Sequence, residues 1–99
     1  MSEKLFGSPV RVKILTLITL EDGISFTELK RKTGLTDGNL SSHIAKLERE
    51  GIIKIKKKFV NKRPRTQYFL TKEGREAFLN YLSDMEKIIK TLKEGNKNG

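Results

Sequence analysis

Residues 51–72 constrain the fold of this chain more strongly than any other segment. Isoleucine and lysine alternate over residues 53–56, and lysine continues to residue 58, which is the period of a strand with one partly apolar and one basic face. A turn is predicted at residues 61–64, and residues 66–70 are predicted to form the returning strand. The segment therefore predicts a β-hairpin within a chain whose other patterns are helical.

The same hairpin carries nearly all of the net charge. It holds eight Lys and Arg and no acid, whereas the residues before it hold eight basic and seven acidic side chains, and those after it hold five of each. A basic hairpin beside a nearly neutral body is typical of a surface that binds a polyanion. The alternative is a basic loop that only keeps a small protein soluble. Lys54, Lys56 and Lys58 would serve only that purpose if they lie on the far side of the strand.

The first predicted helix begins at Ser8 and Pro9. Ser8 can cap the free amides, and Pro9 suits the first helical position because its missing N–H is not needed there. This helix is expected to stop near residues 22–23, and Ile24 is expected to add a short strand.

Two further helices are predicted before the hairpin. Ser25 and Glu28 form a capping box that starts the second helix. A tight turn around Gly34, which tolerates a left-handed conformation, leads to a third helix over residues 36–50. Two short helices joined by a glycine-containing turn and followed by a hairpin predict a winged helix–turn–helix.

The outward face of the third helix is small and polar. Leu40, Ile44 and Leu47 form a single apolar stripe, and at about 100° per residue the opposite side carries small, polar and basic residues. That composition suits a helix lying deep in a groove, although a face that is merely solvated is the commoner case. Asp37 is unfavourable near a phosphate unless it caps the helix or accepts from a base. The outward residues are Gly38, Ser42, Ala45, Lys46 and Arg49, with Asn39 and Ser41 on the flanks.

The last part of the chain is predicted to form one long helix that Thr71 caps. Its apolar residues repeat at spacings of four, three, four and three, which is the a/d pattern of a coiled coil. Residues 74–92 would span about 28 Å at 1.5 Å per residue, too long to be buried wholly on so small a body. The helix is therefore predicted to contact the core near Ala77 and Phe78 and to pair with a second copy beyond. A stripe that only covers the core, or that binds a different partner, would show the same pattern. The predicted dimer interface consists of Phe78, Leu82, Met85, Ile89 and Leu92.

The composition argues against several classes of function. The chain has no Cys, and His43 is its only His, so neither a metal site nor a cofactor is predicted. No nucleophile with its base, phosphate-binding Gly-rich loop or zinc-protease motif is present, so the chain is not expected to be an enzyme. No apolar run approaches the roughly 20 residues of a membrane span, and residues 1–4 lack the apolar core of a signal peptide. His43 lies at the edge of the apolar stripe, where a packed or hydrogen-bonded role is expected rather than pH sensing.

Three segments give the chain a resemblance to a known family. The segments SPVRVKIL, SFTELKRKTGLTDGNLSSHIAKLEREGII and RPRTQYFLTKEG look like those of MarR/ArsR-type winged-helix transcriptional regulators, in particular the small single-domain members with an extended C-terminal helix. The resemblance covers about residues 5–84. It implies an α+β, mostly helical fold with a two-stranded wing, and a homodimer that binds pseudo-palindromic operators, often as a repressor. The metal-ligand clusters of metal-sensing relatives are absent, which leaves any small-molecule effector unknown.

The resemblance also suggests which residues contact double-stranded DNA. The third helix would enter the major groove, and the wing, residues 58–66, would lie on the minor groove or the phosphate backbone. The helix residues assigned to DNA are Thr36, Gly38, Asn39, Ser41, Ser42, Lys46 and Arg49, and the wing residues are Lys58, Lys62, Arg63 and Arg65.

The leading hypothesis is a single domain that regulates transcription as a homodimer. Residues 5–72 would form the DNA-binding part with its wing, residues 73–94 the dimerisation helix, and residues 95–99 a frayed tail. Such a protein is expected in the cytoplasm, associated with the nucleoid and not with a membrane. The rival hypotheses are an architectural protein that coats DNA without sequence preference, and a winged helix whose basic hairpin docks an acidic protein.

Overall fold

A computed structural model describes residues 3–97 of the chain. One helical turn, α1 (Glu3–Phe6), precedes four longer helices and three strands. In chain order these are α2 (Pro9–Leu20), β1 (Ile24–Ser25), α3 (Phe26–Thr33), α4 (Asp37–Arg49), β2 (Ile53–Val60), β3 (Arg63–Leu70) and α5 (Lys72–Lys97). The predicted α+β, mostly helical class with a wing and a long C-terminal helix is confirmed, and α1 is an element that the sequence patterns did not predict.

Side-chain caps start helices α2 and α3. Ser8 Oγ accepts from the backbone N–H of Arg11 at 3.3 Å, and Ser25 Oγ accepts from that of Glu28 at 3.2 Å. Each cap satisfies an amide that the helix leaves without a partner. Only half of the predicted capping box forms, because the Glu28 carboxylate accepts from the Arg31 guanidinium instead of turning back to Ser25.

The three strands form an antiparallel sheet in the order β1-β3-β2. The wing is the hairpin of β2 and β3, and its turn consists of Asn61 and Lys62 alone, with φ of 51° and 65°. Positive φ at both central residues is the pattern of a tight two-residue hairpin turn. The predicted turn at residues 61–64 was therefore too wide, since Arg63 and Pro64 lie in β3. Proline is tolerated there because β1 pairs only with residues 67–68 and leaves the outer edge of β3 unpaired.

The core lies between the helices and one face of the sheet. α2 contributes Ile14, Leu15 and Ile18, α4 contributes its predicted stripe, and the strands contribute Ile53, Tyr68 and Leu70. Phe78 of α5 is 1% exposed and belongs to this core. Its ring lies 6.0 Å from that of Phe6 in α1. The assignment of Phe78 to a dimer interface was therefore wrong, because its own chain already buries the ring.

Hydrogen bonds join the start of α5 to Gly51 and Ile52, which follow α4. Thr71 donates its hydroxyl to the carbonyl of Gly51 at 2.6 Å, and its backbone N–H donates to the carbonyl of Ile52 at 3.0 Å. The same hydroxyl accepts from the backbone N–H of Gly74 at 2.8 Å, as predicted for the helix cap. α5 continues to Lys97 and so includes residues 95–97 of the predicted frayed tail, whereas residues 98 and 99 lie outside the described residues.

We expect Gly74→Ala to destabilise the fold strongly. A Cβ at position 74 would collide with the carbonyl oxygen of Ile52 and lie 2.7 Å from its carbonyl carbon, and the backbone has to shift to relieve that overlap. A loss of about 3 kcal/mol or more in the free energy of unfolding is expected, measured by urea denaturation. Gly95→Ala is the matched control, because it lies in the same helix with open space around it and should be neutral or stabilising by up to about 1 kcal/mol. Equal effects of the two variants would contradict the close packing at Gly74.

Candidate nucleic-acid interface

α4 presents one buried and one accessible face. Its apolar stripe, Leu40, Ile44 and Leu47, is fully buried or nearly so. The residues assigned to the outward face are all exposed except Lys46, which is half-buried. The structure therefore brings the predicted polar side chains together on one accessible surface, which we call the α4 face: Thr36, Gly38, Asn39, Ser41, Ser42, Lys46 and Arg49.

The N-terminus of α4 is exposed to solvent, and its one acidic side chain, Asp37, forms an ion pair. Thr36 Oγ1 accepts from the backbone N–H of Asn39 at 3.2 Å, which caps the helix. Lys30 of α3 lies 2.8 Å from a carboxylate oxygen of Asp37. This pair is exposed and adds little stability, but it neutralises the one acid at this end of the α4 face. Sequence patterns did not reveal Lys30 in this role, because the contact joins two helices across a turn.

His43 connects α4 to the N-terminal helices. Its Nδ1 lies 3.3 Å from Nη1 of Arg11, whose Nε donates to the carbonyl of Leu5 at 2.7 Å. Desolvation first, and then the charge of Arg11, lower the pKa of His43 below its usual value. With Arg11 donating, the imidazole is neutral and carries its proton on Nε2. The half-buried His43 therefore has the hydrogen-bonded role that its position predicted.

We expect His43 to make the stability of the fold depend on pH. Because its pKa is lower in the folded chain than in the unfolded one, its contribution is complete above about pH 6.5 and is lost as the pH falls towards the folded pKa. The free energy of unfolding should therefore decline on acidification more steeply for the wild type than for His43→Gln. Urea denaturation of both proteins between pH 5 and pH 8 gives the difference directly. A difference that does not change with pH would contradict the assignment.

The cations of the wing contrast with those of α3. Each of the three consecutive basic residues of α3 has an acidic partner within 4 Å, in the pairs Lys30–Asp37, Arg31–Glu28 and Lys32–Glu21. Within the described residues, no Lys or Arg of residues 51–72 forms such a pair. The charge of Arg65 does reach Glu28, whose pKa is lowered mainly by its hydrogen bond with Arg31. The net positive charge of the chain is thus concentrated in residues 51–72, where no ion pair offsets it.

The register of the wing places like charges opposite each other. Lys58 of β2 is the direct cross-strand partner of Arg65, and Arg63 follows two residues along the same face. Lys56 also lies on this face and projects over the ring of Phe69, 5.3 Å from its centroid. Like charges directly opposite each other destabilise a strand pair. The repulsion between these cations therefore destabilises the hairpin, and a bound polyanion would relieve it.

We expect Lys58→Glu to stabilise the fold at low salt. The substitution replaces a repulsive pair with an attractive one opposite Arg65, so the melting temperature should rise by a few degrees in low salt. Lys13→Glu is the matched control, because it makes the same charge change at an exposed position of α2 with no charged residue three or four positions away. Thermal unfolding of the two variants at 20 mM and 500 mM salt tests the idea. An equal melting temperature for both variants at low salt would contradict the repulsion on the wing.

The outer part of α5 exposes apolar side chains. Leu82, Ile89 and Leu92 of the predicted interface are exposed and Met85 is half-buried, whereas Tyr81 packs inward with its ring 5.2 Å from that of Phe6. Two further exposed residues, Leu79 and Ile88, extend this surface. We call the four outward residues of the predicted interface the α5 stripe: Leu82, Met85, Ile89 and Leu92.

Residues 3–97, which the structure describes, lack two other kinds of feature. No group of three or more His, Cys, Asp and Glu in this part of the chain is arranged to hold a metal ion. None of the described helices combines the length and the apolar character needed to cross a membrane.

Comparison with known proteins identifies the family. The family described as winged helix DNA-binding domain matches residues 10–89. The chain belongs to this family. The winged-helix domain is 42% identical over 89 residues to an uncharacterized protein of Methanocaldococcus jannaschii, covering 90% of this chain and 97% of that protein.

Solved structures support the same assignment. A transcriptional regulator homologue from Pyrococcus horikoshii OT3 superposes with a TM-score of 0.84 at 35% identity, over 93% of this chain and 91% of the other. The structure of MarR matches with a TM-score of 0.76 at 26% identity, over 90% of this chain and 64% of MarR. The predicted resemblance to MarR-type winged-helix regulators is thereby confirmed. Family and fold are those of DNA-binding regulators of transcription.

Proposed function

We propose that this winged-helix domain is a homodimeric, sequence-specific regulator of transcription that represses by covering a promoter. The observation that carries the proposal is the row of like charges on the wing, where Lys58 faces Arg65 and Arg63 lies beside them without an acidic partner. Such a row is retained at a cost in stability, and a surface of phosphates supplies the missing counter-charge. A protein bound in this way would lie on the chromosome, in the nucleoid.

The α4 face is suited to the major groove. It is polar and accessible, and Gly38 near its N-terminus has no atom within 4 Å of the position that a Cβ would take. Ser41, Ser42 and Lys46 are the residues that we assign to base edges, because they lie on the outward side beyond the first turn. Thr36 and Asn39 lie where backbone amides at a helix N-terminus bind a phosphate.

The wing would add affinity rather than sequence information. Arg63 and Arg65 project from a paired strand and not from a loop, so less backbone freedom is lost when they bind. Together with Lys58 and Lys62 they would contact phosphates or the minor groove beside each half-site. Neutralising three or more phosphates per subunit predicts a slope of log affinity against log salt near −5 or steeper for a dimer.

The α5 stripe supports dimerisation. α5 contributes to an elongated shape of 61 × 26 × 21 Å, and its outer turns carry Leu82, Ile89 and Leu92 exposed to water. An apolar stripe at heptad spacing is covered when a second copy packs against it. A two-fold dimer would then present two α4 faces to successive major grooves, about one helical turn of DNA apart.

Selection of bound sequences from a random duplex pool at about 150 mM salt tests the proposal. We expect enrichment of an inverted repeat with half-sites about one helical turn apart, because a symmetric dimer reads the same bases twice. Binding without enrichment would favour the architectural alternative. The absence of binding to any duplex would contradict the proposal and leave an acidic protein as the partner of the wing.

Substitutions separate the α4 face from the wing. The double variant Ser42→Ala/Lys46→Ala should lose most of its preference for the selected sequence over a scrambled one, since each good base contact contributes about 1–3 kcal/mol of discrimination. Arg63→Ala/Arg65→Ala should weaken both duplexes about equally and make the salt slope shallower by roughly 1.8 per subunit. Fluorescence anisotropy with both duplexes at several salt concentrations measures the two effects. A wing variant that changes only the preference would overturn the assignment of these arginines.

A further inference from the structure

Phe59 is the most exposed aromatic residue among the described side chains. It is 76% exposed, and of the large apolar residues only Leu20, at 79%, is more exposed. Phe59 lies on the same face of β2 as Ile53, which is buried, and Ile55, which is half-buried. The hairpin extends past the core, so this face loses its cover before it reaches Phe59. A phenylalanine held in water at the end of a hairpin gains nothing from its own fold.

Pro64 is the cross-strand partner of Phe59. The two residues are directly opposite each other in the register of the wing, one pair away from the two-residue turn at Asn61 and Lys62. Both are exposed. The end of the wing therefore carries an apolar pair that we call the tip pair, Phe59 and Pro64.

Cations lie on both faces of the hairpin near the tip pair. Lys57 lies two residues from Phe59 on the face of the tip pair, whereas Lys58, Arg63 and Arg65 lie on the opposite face, and no acid occurs in residues 51–72. Self-association through the tip pair would bring these cations together, which like-charge repulsion opposes. The surface that matches this arrangement is negative on both sides of the hairpin and apolar where it meets the tip pair. The minor groove of DNA has this character, because phosphates line its edges and sugars and base edges form its walls and floor.

We propose that the tip pair is an apolar wedge that enters the minor groove beside each half-site and partly unstacks one base step. The flanking cations would hold the phosphates on either side. This inference rests on the proposed function and adds to it a residue, Phe59, and a mode of contact. The wedge bends the duplex and favours flanks with flexible pyrimidine–purine steps such as TA, where unstacking costs least.

Phe59→Ala tests the wedge, with Leu20→Ala as the matched control. Both substitutions truncate a strongly exposed apolar side chain, so neither should change the melting temperature. The selected duplex, labelled with a fluorophore at each end and carrying a TA step in the flank, reports affinity and bending together. Phe59→Ala should bind about tenfold more weakly or worse, with an unchanged salt slope and a straighter duplex. Leu20→Ala should match the wild type in affinity, in salt slope and in the bend of the duplex.

The outcomes distinguish the wedge from the proposed function. If the wild type binds no duplex, the proposed function fails and the wedge fails with it. If the wild type binds and bends DNA while Phe59→Ala does so equally well, only the wedge is wrong. A Phe59→Ala variant that keeps its DNA affinity and bend but no longer sediments with phosphatidylserine vesicles would overturn the inference in favour of a membrane contact. A tenfold loss that disappears when the flanking TA step is replaced by GG would support unstacking.

Discussion

The hydrogen bonds of Thr71 hold the two functional parts of the molecule in one arrangement. Its hydroxyl donates to the carbonyl of Gly51, two residues after α4, and accepts from the N–H of Gly74 in the first turn of α5. Gly74 can approach Ile52 so closely only because it has no side chain. The start of the helix proposed to form the dimer is therefore held by direct contacts to the residues that follow the helix proposed to read DNA, Gly51 and Ile52.

The basic residues of this chain fall into two groups, those of α3, which form ion pairs, and those of the wing, which do not. On α3, three consecutive basic residues each form an ion pair with an acid of the same chain, so the fold itself neutralises their charge. On the wing, Lys58, Arg63 and Arg65 lie on one face with no acid in the strand pair. Local ion pairs of exposed residues contribute little to stability. Their placement matters here because it neutralises Glu21, Glu28 and Asp37, whereas no acid on the wing offsets its positive potential.

Local signals predicted most of the fold, and contacts between distant residues account for what they missed. Ser8, Ser25, Thr36 and Thr71 act as caps as predicted, because a cap depends only on neighbouring residues. The turn of the wing was predicted too wide, since the pairing of Pro64 depends on how far β1 extends along β3. The heptad pattern did not separate Phe78, which α1 covers, from Leu82 and Ile89, which are exposed. The sequence patterns also did not reveal the Lys30–Asp37 pair, because this contact joins two different helices.

The connection between α4 and α5 has a consequence for how a dimer would read DNA. Because Thr71 and Gly74 fix the start of α5 against the end of α4, the proposed pairing through Leu82 and Ile89 would set the distance between two α4 faces. A small change in the crossing of the two α5 helices would then move both faces as rigid units. The spacing of the half-sites, and any control over it, would thus be decided by packing far from the DNA and not by the side chains that touch it.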